Sequence, residues 1–216
     1  DLLVKVLPDY PATGKRTLQD NGTWLRTLRR DDVDLVRTPI ERITPHAVVT
    51  ADGASHEVDV IVYATGFRAT EVLYPMAITG RDGVDLRTAW GERPVGYLGI
   101  TVPGFPNFFM LYGPGNHLAH GGSLIFNSEL QMRYINAVLA EMITAGIDSI
   151  EPTPEATDDW HRRHQAEIAT MVWAHPSIKH SYFKNADGEI HTVSPWKLPV
   201  FWKAVHEPDW SNFVKN

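Results

Sequence analysis

A chain of 216 residues with 43% hydrophobic side chains can bury a substantial core as one or two domains. Its formal net charge of −6 argues against a nucleic-acid partner, and the absence of cysteine excludes disulfides and thiol chemistry and is compatible with a cytoplasmic location. No secretory leader is visible, and no apolar run approaches the roughly 20 residues that a membrane helix needs.

Residues 2–7 (Leu-Leu-Val-Lys-Val-Leu) read as a strand, followed by a proline-rich loop through Tyr10, Pro11 and Gly14. Lys15 and Arg16 close that loop, and a short helix around 22–30 carries Arg26, Arg29 and Arg30. Five cations within sixteen residues form either a solvated basic face or a phosphate-binding cluster. Strands are expected at 33–36 and 47–50, and Asp52-Gly53 supplies a turn before the apolar run 59–67, Asp-Val-Ile-Val-Tyr-Ala-Thr-Gly-Phe. That run reads as a buried strand ending at a Thr65-Gly66 corner. At the carboxyl end of a strand a glycine lets the backbone approach a flat ligand, although an ordinary tight turn uses the same residues.

Residues 107–112 (Asn-Phe-Phe-Met-Leu-Tyr) read as a second buried strand. Beyond it, Ile135, Val138, Leu139, Met142 and Ile143 keep helical spacing, and Gly146 marks a stop. Gly121, Gly122 and Ser123 therefore open a long helix whose free N–H groups suit an anionic or carbonyl-bearing ligand. Thr153-Pro154-Glu155 combines a cap, a first-turn proline and an early acid, and so starts another helix. Trp160, His164, Ile168 and Val172 recur at fourfold spacing after it, as a core stripe. Asn185-Ala186-Asp187-Gly188 separates 181–184 from 189–193, the pattern of a hairpin.

Three other chemistries fail on spacing. Ile125 stands where a nucleophile elbow around Ser123 needs glycine. Gly14-Lys15 is followed by Arg16 instead of Ser or Thr, and Asp9 replaces the leading glycine of a phosphate loop. Asp158, His161 and His164 share a helical face, but Arg162 and Arg163 intervene and no fourth ligand is evident, so no metal site is expected.

Gly14-Lys15-Arg16, the run 59–67, Pro106-Asn107-Phe108, Tyr112-Gly113-Pro114, Gly121-Gly122-Ser123 and Ser181-Tyr182-Phe183-Lys184-Asn185 follow one another along the chain. As an ordered set they resemble the C-terminal portion of the class B flavoprotein monooxygenases, nearest to the Baeyer–Villiger type. The resemblance implies an α/β fold made of the C-terminal parts of two Rossmann-like dinucleotide-binding domains, residues 1–65 in an NADPH domain and 66–216 in an FAD domain. The family's two Gly-x-Gly-x-x-Gly turns and its Phe-x-Gly-x-x-x-His signature are not in this sequence, and Gly113-Pro114-Gly115 has Leu118 where a third glycine belongs. With Asp1 opening the sequence, the expectation is a fragment whose pyrophosphate grips lie in a missing N-terminal portion and which by itself is inactive.

The activity implied by the resemblance is that of an FAD- and NADPH-dependent monooxygenase. It would pass one oxygen atom from O2 to a ketone or a heteroatom of a small molecule, through a flavin peroxide. Residue by residue, the resemblance puts Arg16 over the flavin as the catalytic cation and Lys15 at the 2′-phosphate of NADP. It puts Thr65, Gly66 and Phe67, with the backbone of Gly122, Ser123 and Leu124, at the cofactor. Leu118, Ala119 and His120 would shape the substrate pocket. Tyr182 occupies a position that is more often tryptophan in the family, beside the nicotinamide cofactor. A non-catalytic or reductase-like FAD/NADP-binding protein, or an independently folding interaction module, remains the alternative.

Overall fold

The computed structural model gathers residues up to Asp9 and Thr17–Phe67 into one compact unit, and Tyr10–Arg16 with Arg68–Asn216 into a second. It describes residues 2–18, 20–119 and 121–216, which together are a mixture of helices and short strands.

The first unit begins with α1 (Leu2–Val6), a helix and not the expected strand. Leucine and lysine are good helix formers, and no neighbouring strand pairs with this run among the described residues. In α2 (Thr23–Thr27), Gly22 enters with φ 76°, and the Asp20 carboxylate accepts hydrogen bonds from the N–H groups of Gly22 and Trp24. An antiparallel meander follows: β1 (Ile40–Ile43), β2 (Ala47–Thr50) and β3 (Ser55–Glu57), with Ile40 opposite Thr50 and Ala47 opposite Glu57. Asp52 organises the β2–β3 turn by accepting from the Thr50 hydroxyl (2.6 Å) and the Ala54 N–H (3.2 Å). These bonds, the Thr50 hydroxyl first, hold its pKa below the usual carboxylate value.

Two other expected strands of this unit do not form. Residues 33–36 are irregular, and so is the run 59–67, where Val60, Val62, Tyr63 and Phe67 are exposed, Phe67 by 88%. A strand is stabilised by ladder bonds and cross-strand side chains. Among the described residues no strand lies beside 59–67 to supply either.

The second unit is built around α4 (Leu124–Ala145) and α5 (Pro154–Ile168). Both have the ends that the sequence specifies. Ser123 Oγ accepts from the Phe126 N–H at 3.2 Å, and Gly146 closes α4 with φ 67° and a bond to the Met142 carbonyl. Thr153 Oγ1 accepts from the Ala156 N–H at 3.2 Å, with Pro154 in the first turn of α5. The inner face of α4, with Leu130, Tyr134, Ile135 and Val138, packs against Trp160 of α5, Trp196 and Phe213. The strands β4 (Ile150–Pro152) and β5 (Phe213–Lys215) pair antiparallel at its edge, and α6 (Leu198–Ala204) contributes Phe201 to the same core. A smaller cluster joins Leu86 of α3 (Leu86–Trp90) to Val102, Phe105 and Met110.

Trp160, His164 and Ile168 are buried as the spacing predicts, and Val172 is partly so. His164 Nε2 lies 2.8 Å from the Val193 carbonyl oxygen, and burial pushes the imidazole pKa down to about 4. Residues 107–112 are a loop and not a strand, because Asn107 (φ 59°) and Tyr112 (φ 58°) are left-handed and break the extended run at both ends. The predicted 181–193 hairpin keeps its turn, with the Asn185 N–H bonded to the Glu189 carbonyl at 2.9 Å, but forms no ladder. Residues 192–194 pair instead with His117. Among the described residues no helix is long and apolar enough to cross a membrane.

Candidate functional site

The site grows from a buried glycine. A Cβ on Gly14 would stand 2.3 Å from Ile178 Cδ1 and 3.0 Å from the Pro11 carbonyl oxygen, so glycine lets the 10–16 segment lie against Ile178 without displacing that buried side chain. The turn is fastened by the Gly14 N–H to the Pro11 carbonyl (3.0 Å) and by the Trp173 indole N–H to the Thr13 carbonyl (3.2 Å). Lys15 and Arg16 emerge from it onto aromatic rings. Lys15 Nζ is 4.6 Å from the Tyr10 ring centre, and the Arg16 guanidinium carbon is 5.4 Å from that of Tyr182. Both distances are within the range of cation–π attraction.

Tyr182 is itself held by packing. It meets Phe183 edge-on (5.4 Å, 84°), and Phe183 lies 5.8 Å from Trp173. The imidazole of His117 sits among three rings, 5.8 Å from Tyr112, 6.3 Å from Tyr182 and 5.7 Å from Phe183. Its backbone is fixed on both sides, the N–H donating to the Thr192 carbonyl and the carbonyl accepting from the Ser194 N–H, each at 2.9 Å. Tyr112 donates its N–H to Gln131 Oε1 (2.6 Å), and its hydroxyl accepts from the Leu118 N–H (2.5 Å). Leu118 is thereby tied to α4, and Ala119 packs with Tyr182 against the cluster of Ile168, Trp173, Phe183 and Val193. His120, grouped with these two in the sequence, lies outside the described residues.

Beneath this layer the 112–116 segment docks onto 96–101. Buried Asn116 donates from Nδ2 to the carbonyls of Leu98 (2.9 Å) and Gly99 (3.3 Å). The approach is close: a Cβ on Gly99 would lie 2.3 Å from Asn116 Nδ2 and 2.4 Å from the Pro114 oxygen, and one on Gly113 would lie 2.5 Å from the Gly99 oxygen.

The third component is the entry to α4. Gly121 and Gly122 have φ 108°, residues 121–126 are exposed, and no atom lies within 4 Å of where a Gly121 Cβ would be. First-turn N–H groups have no carbonyl four residues earlier, so this helix end is open to a ligand that brings acceptors. Leu118 Cδ1, 3.6 Å from a notional Gly122 Cβ, links the helix entry to the His117 layer. Ser123→Ala removes the oxygen that caps Phe126. It is expected to destabilise the chain by about 1 kcal/mol, read as a lower urea midpoint with an unchanged slope.

Lys15, Arg16, Leu118, Ala119, Gly122, Ser123, Leu124 and Tyr182 thus all belong to the second unit, and a run of contacts connects Arg16 to Gly122 through Tyr182, His117 and Leu118. Thr65, Gly66 and Phe67 end the first unit in an exposed segment, with Gly66 at φ 86°. Sequence reading quoted Tyr112 within the Tyr112-Gly113-Pro114 motif without giving it a role, and did not single out Asn116 or Trp173. The partners of Asn116 lie 17 and 18 positions away and that of Trp173, Thr13, lies 160 away, so no local pattern marks these two.

The chain is 38% identical over 214 residues to an uncharacterised monooxygenase of Sinorhizobium fredii, a match that covers 99% of this chain and 32% of that protein. It is 30% identical over 213 residues to a Baeyer–Villiger monooxygenase of Streptomyces coelicolor, covering 98% of this chain and 40% of that one. Among solved structures, OTEMO in complex with FAD and NADP matches with a TM-score of 0.85 at 30% identity, over 100% of this chain and 41% of OTEMO. The chain is a homologue of the Baeyer–Villiger monooxygenases. Relative to the curated monooxygenases above it spans 32–40% of their length. No protein-family model matches it. The mixed α/β architecture of this monooxygenase homologue is therefore shared with OTEMO along the whole of the chain.

Proposed function

We propose that this chain is the C-terminal portion of an FAD- and NADPH-dependent monooxygenase that inserts one oxygen atom of O2 into a ketone or transfers it to a heteroatom. The observation that carries the reading is one surface of the second unit. There an exposed guanidinium, Arg16, rests on Tyr182, and contacts through His117 and Leu118 link it to the open entry of α4. The likeness to OTEMO, a protein solved with FAD and NADP, supports it.

The donor set fits those cofactors. Bound FAD supplies the redox chemistry and the activation of O2, with NADPH as hydride source. Lys15 offers a point charge suited to the 2′-phosphate of NADP. Arg16 presents a planar, permanently charged group where negative charge develops, and such preorganised charge stabilises a transition state without reorganisation. The open N–H groups around Gly122, Ser123 and Leu124 would receive the carbonyl end of the flavin, while the side-chain-free Gly121 and Gly122 leave room for a flat ring. Tyr182 would border the nicotinamide, and Leu118, Ala119 and His120 the substrate. For Thr65, Gly66 and Phe67 a cofactor-binding role rests on the family resemblance alone.

On this reading residues 1–65 complete a Rossmann-like NADPH domain and 66–216 an FAD domain. The exposed apolar side chains of the irregular run 59–67 support it, since they suit burial against an N-terminal portion of the same protein. The test is NADPH turnover under 18O2 by the native protein that carries this chain, with a panel of ketones and sulfides. One 18O atom per ester or sulfoxide is expected. NADPH consumption that yields only hydrogen peroxide across the panel would make the protein a reductase-like flavoprotein instead.

A further inference from the structure

We propose that His117 is the positioning residue for Arg16: its uncharged ring holds the Tyr182 face on which the guanidinium rests, and protonation of that ring releases it. The catalytic meaning of this device rests on the monooxygenase reading above. The device itself is a property of the chain.

The geometry sets three conditions. The His117 backbone is held in place, because the Thr192 carbonyl accepts its N–H and the Ser194 N–H donates to its carbonyl, both from one buried segment. The ring cannot turn freely, because Tyr112, Tyr182 and Phe183 surround it at 5.7–6.3 Å. Finally, Nδ1 is buried without a hydrogen-bond partner among the described residues. The imidazole therefore acts here as a wedge of aromatic packing and not as a hydrogen-bonded polar group. A proton on Nδ1 would add a charge with an unsatisfied donor at an atom that water does not reach, which is costly.

Burial first, and the Arg16 charge second, hold the His117 pKa below the ordinary imidazole value. Coupling of this kind is reciprocal. If Arg16 on Tyr182 disfavours the His117 proton, the proton disfavours Arg16 on Tyr182 by the same free energy. Of the two cations that would then face each other, Arg16 is exposed and His117 is pinned, so Arg16 is the one that moves.

Among the described residues Lys179 and His180 of the 178–184 segment are exposed, and three further charged or titratable groups near the ring are engaged elsewhere. Lys15 lies over Tyr10, Lys184 donates to the Ile178 carbonyl, and His191 is turned toward Glu189 and stacked on His161. Tyr112 and Tyr182 face the ring with their aromatic rings. The sign follows: because the folded-state pKa is depressed, His117 is neutral and the stack is complete at neutral pH and above, and the stack is lost as pH falls through the His117 value.

The test uses NMR on the 216-residue chain without cofactor, reading the His117 ring and the Arg16 Nε–Hε signal from pH 8 to pH 4. In wild type both signals should change with one common midpoint. In Arg16→Met the His117 midpoint should move up. In His117→Phe, which keeps the wedge and cannot charge, the Arg16 signal should show no inflection and keep its neutral-pH position throughout. His117→Ala should give a released Arg16 at every pH, and if that variant does not fold the other two decide the matter. An Arg16 signal that does not follow His117 in wild type, or an inflection that persists in His117→Phe, overturns the proposal. Because no step involves flavin or NADPH, failure of the monooxygenase reading would leave this result standing, and the reverse also holds.

Discussion

Arg16→Ala is expected to lower oxygen transfer to substrate by about 10²–10³-fold or more in the native protein, the range seen when a preorganised electrostatic stabiliser is deleted. Flavin content should survive, because Arg16 is exposed and no hydrogen bond of the fold runs through its side chain among the described residues. Reduction by NADPH should slow too, since Lys15 and Arg16 leave the same turn. Arg16→Lys should recover only part of the loss: an ammonium sits on an aromatic face as a point charge and lacks the planar, many-donor reach of guanidinium. The measurement is single-turnover product formation after mixing pre-reduced enzyme with O2 and substrate. Product formed by Arg16→Ala at the wild-type rate would leave Arg16 a structural residue and Lys15-Arg16 misassigned.

The second large effect concerns stability. Gly99→Ala is expected to cost about 3 kcal/mol or more, because it combines left-handed strain with overpacking against backbone that cannot yield. Gly99 has φ 65°, and the added methyl would meet the Pro114 carbonyl oxygen at 2.4 Å and the Asn116 amide at 2.3 Å. The amide could withdraw only by giving up its bonds to Leu98 and Gly99. Gly188→Ala is the control, with a similar φ of 81° but open space around the new methyl, and should cost only about 1 kcal/mol. Urea denaturation compares the two. Equal losses would mean that the 96–101 and 112–116 segments are not tightly docked. Since His117 and Leu118 follow directly on the docked segment, Gly99→Ala should also disturb the rings under Arg16.

The two long helices, α4 and α5, were legible in the sequence and most of the strands were not, for a physical reason. Ser123 and Gly146 mark α4, and Thr153-Pro154 marks α5, through bonds made within a few residues, so local sequence contains the information. A strand depends on a partner elsewhere. Residues 47–50 found one in β1 and β3, whereas 59–67 has none among the described residues, and 107–112 is interrupted by left-handed Asn107 and Tyr112. Residues 2–6, equally apolar, satisfied their backbone locally as a helix. In the candidate site, Arg16, Lys15 and Tyr182 were reached through resemblance, while the ring cage of His117 and the indole anchor of Trp173 arise only when distant segments pack.

The passage of Tyr10–Arg16 into the second unit, with the chain on either side of it in the first, has a consequence for recombination. A crossover between two homologous genes at the codons for 67 and 68 looks like a clean exchange of halves. It would instead seat one parent's Gly14 and Thr13 against the other parent's Ile178 and Trp173, an apolar contact at a fully buried side chain and a hydrogen bond of 3.2 Å. Viable chimeras of these proteins should therefore inherit the seven-residue strap from the same parent as the region after residue 68, through two further crossovers that flank it.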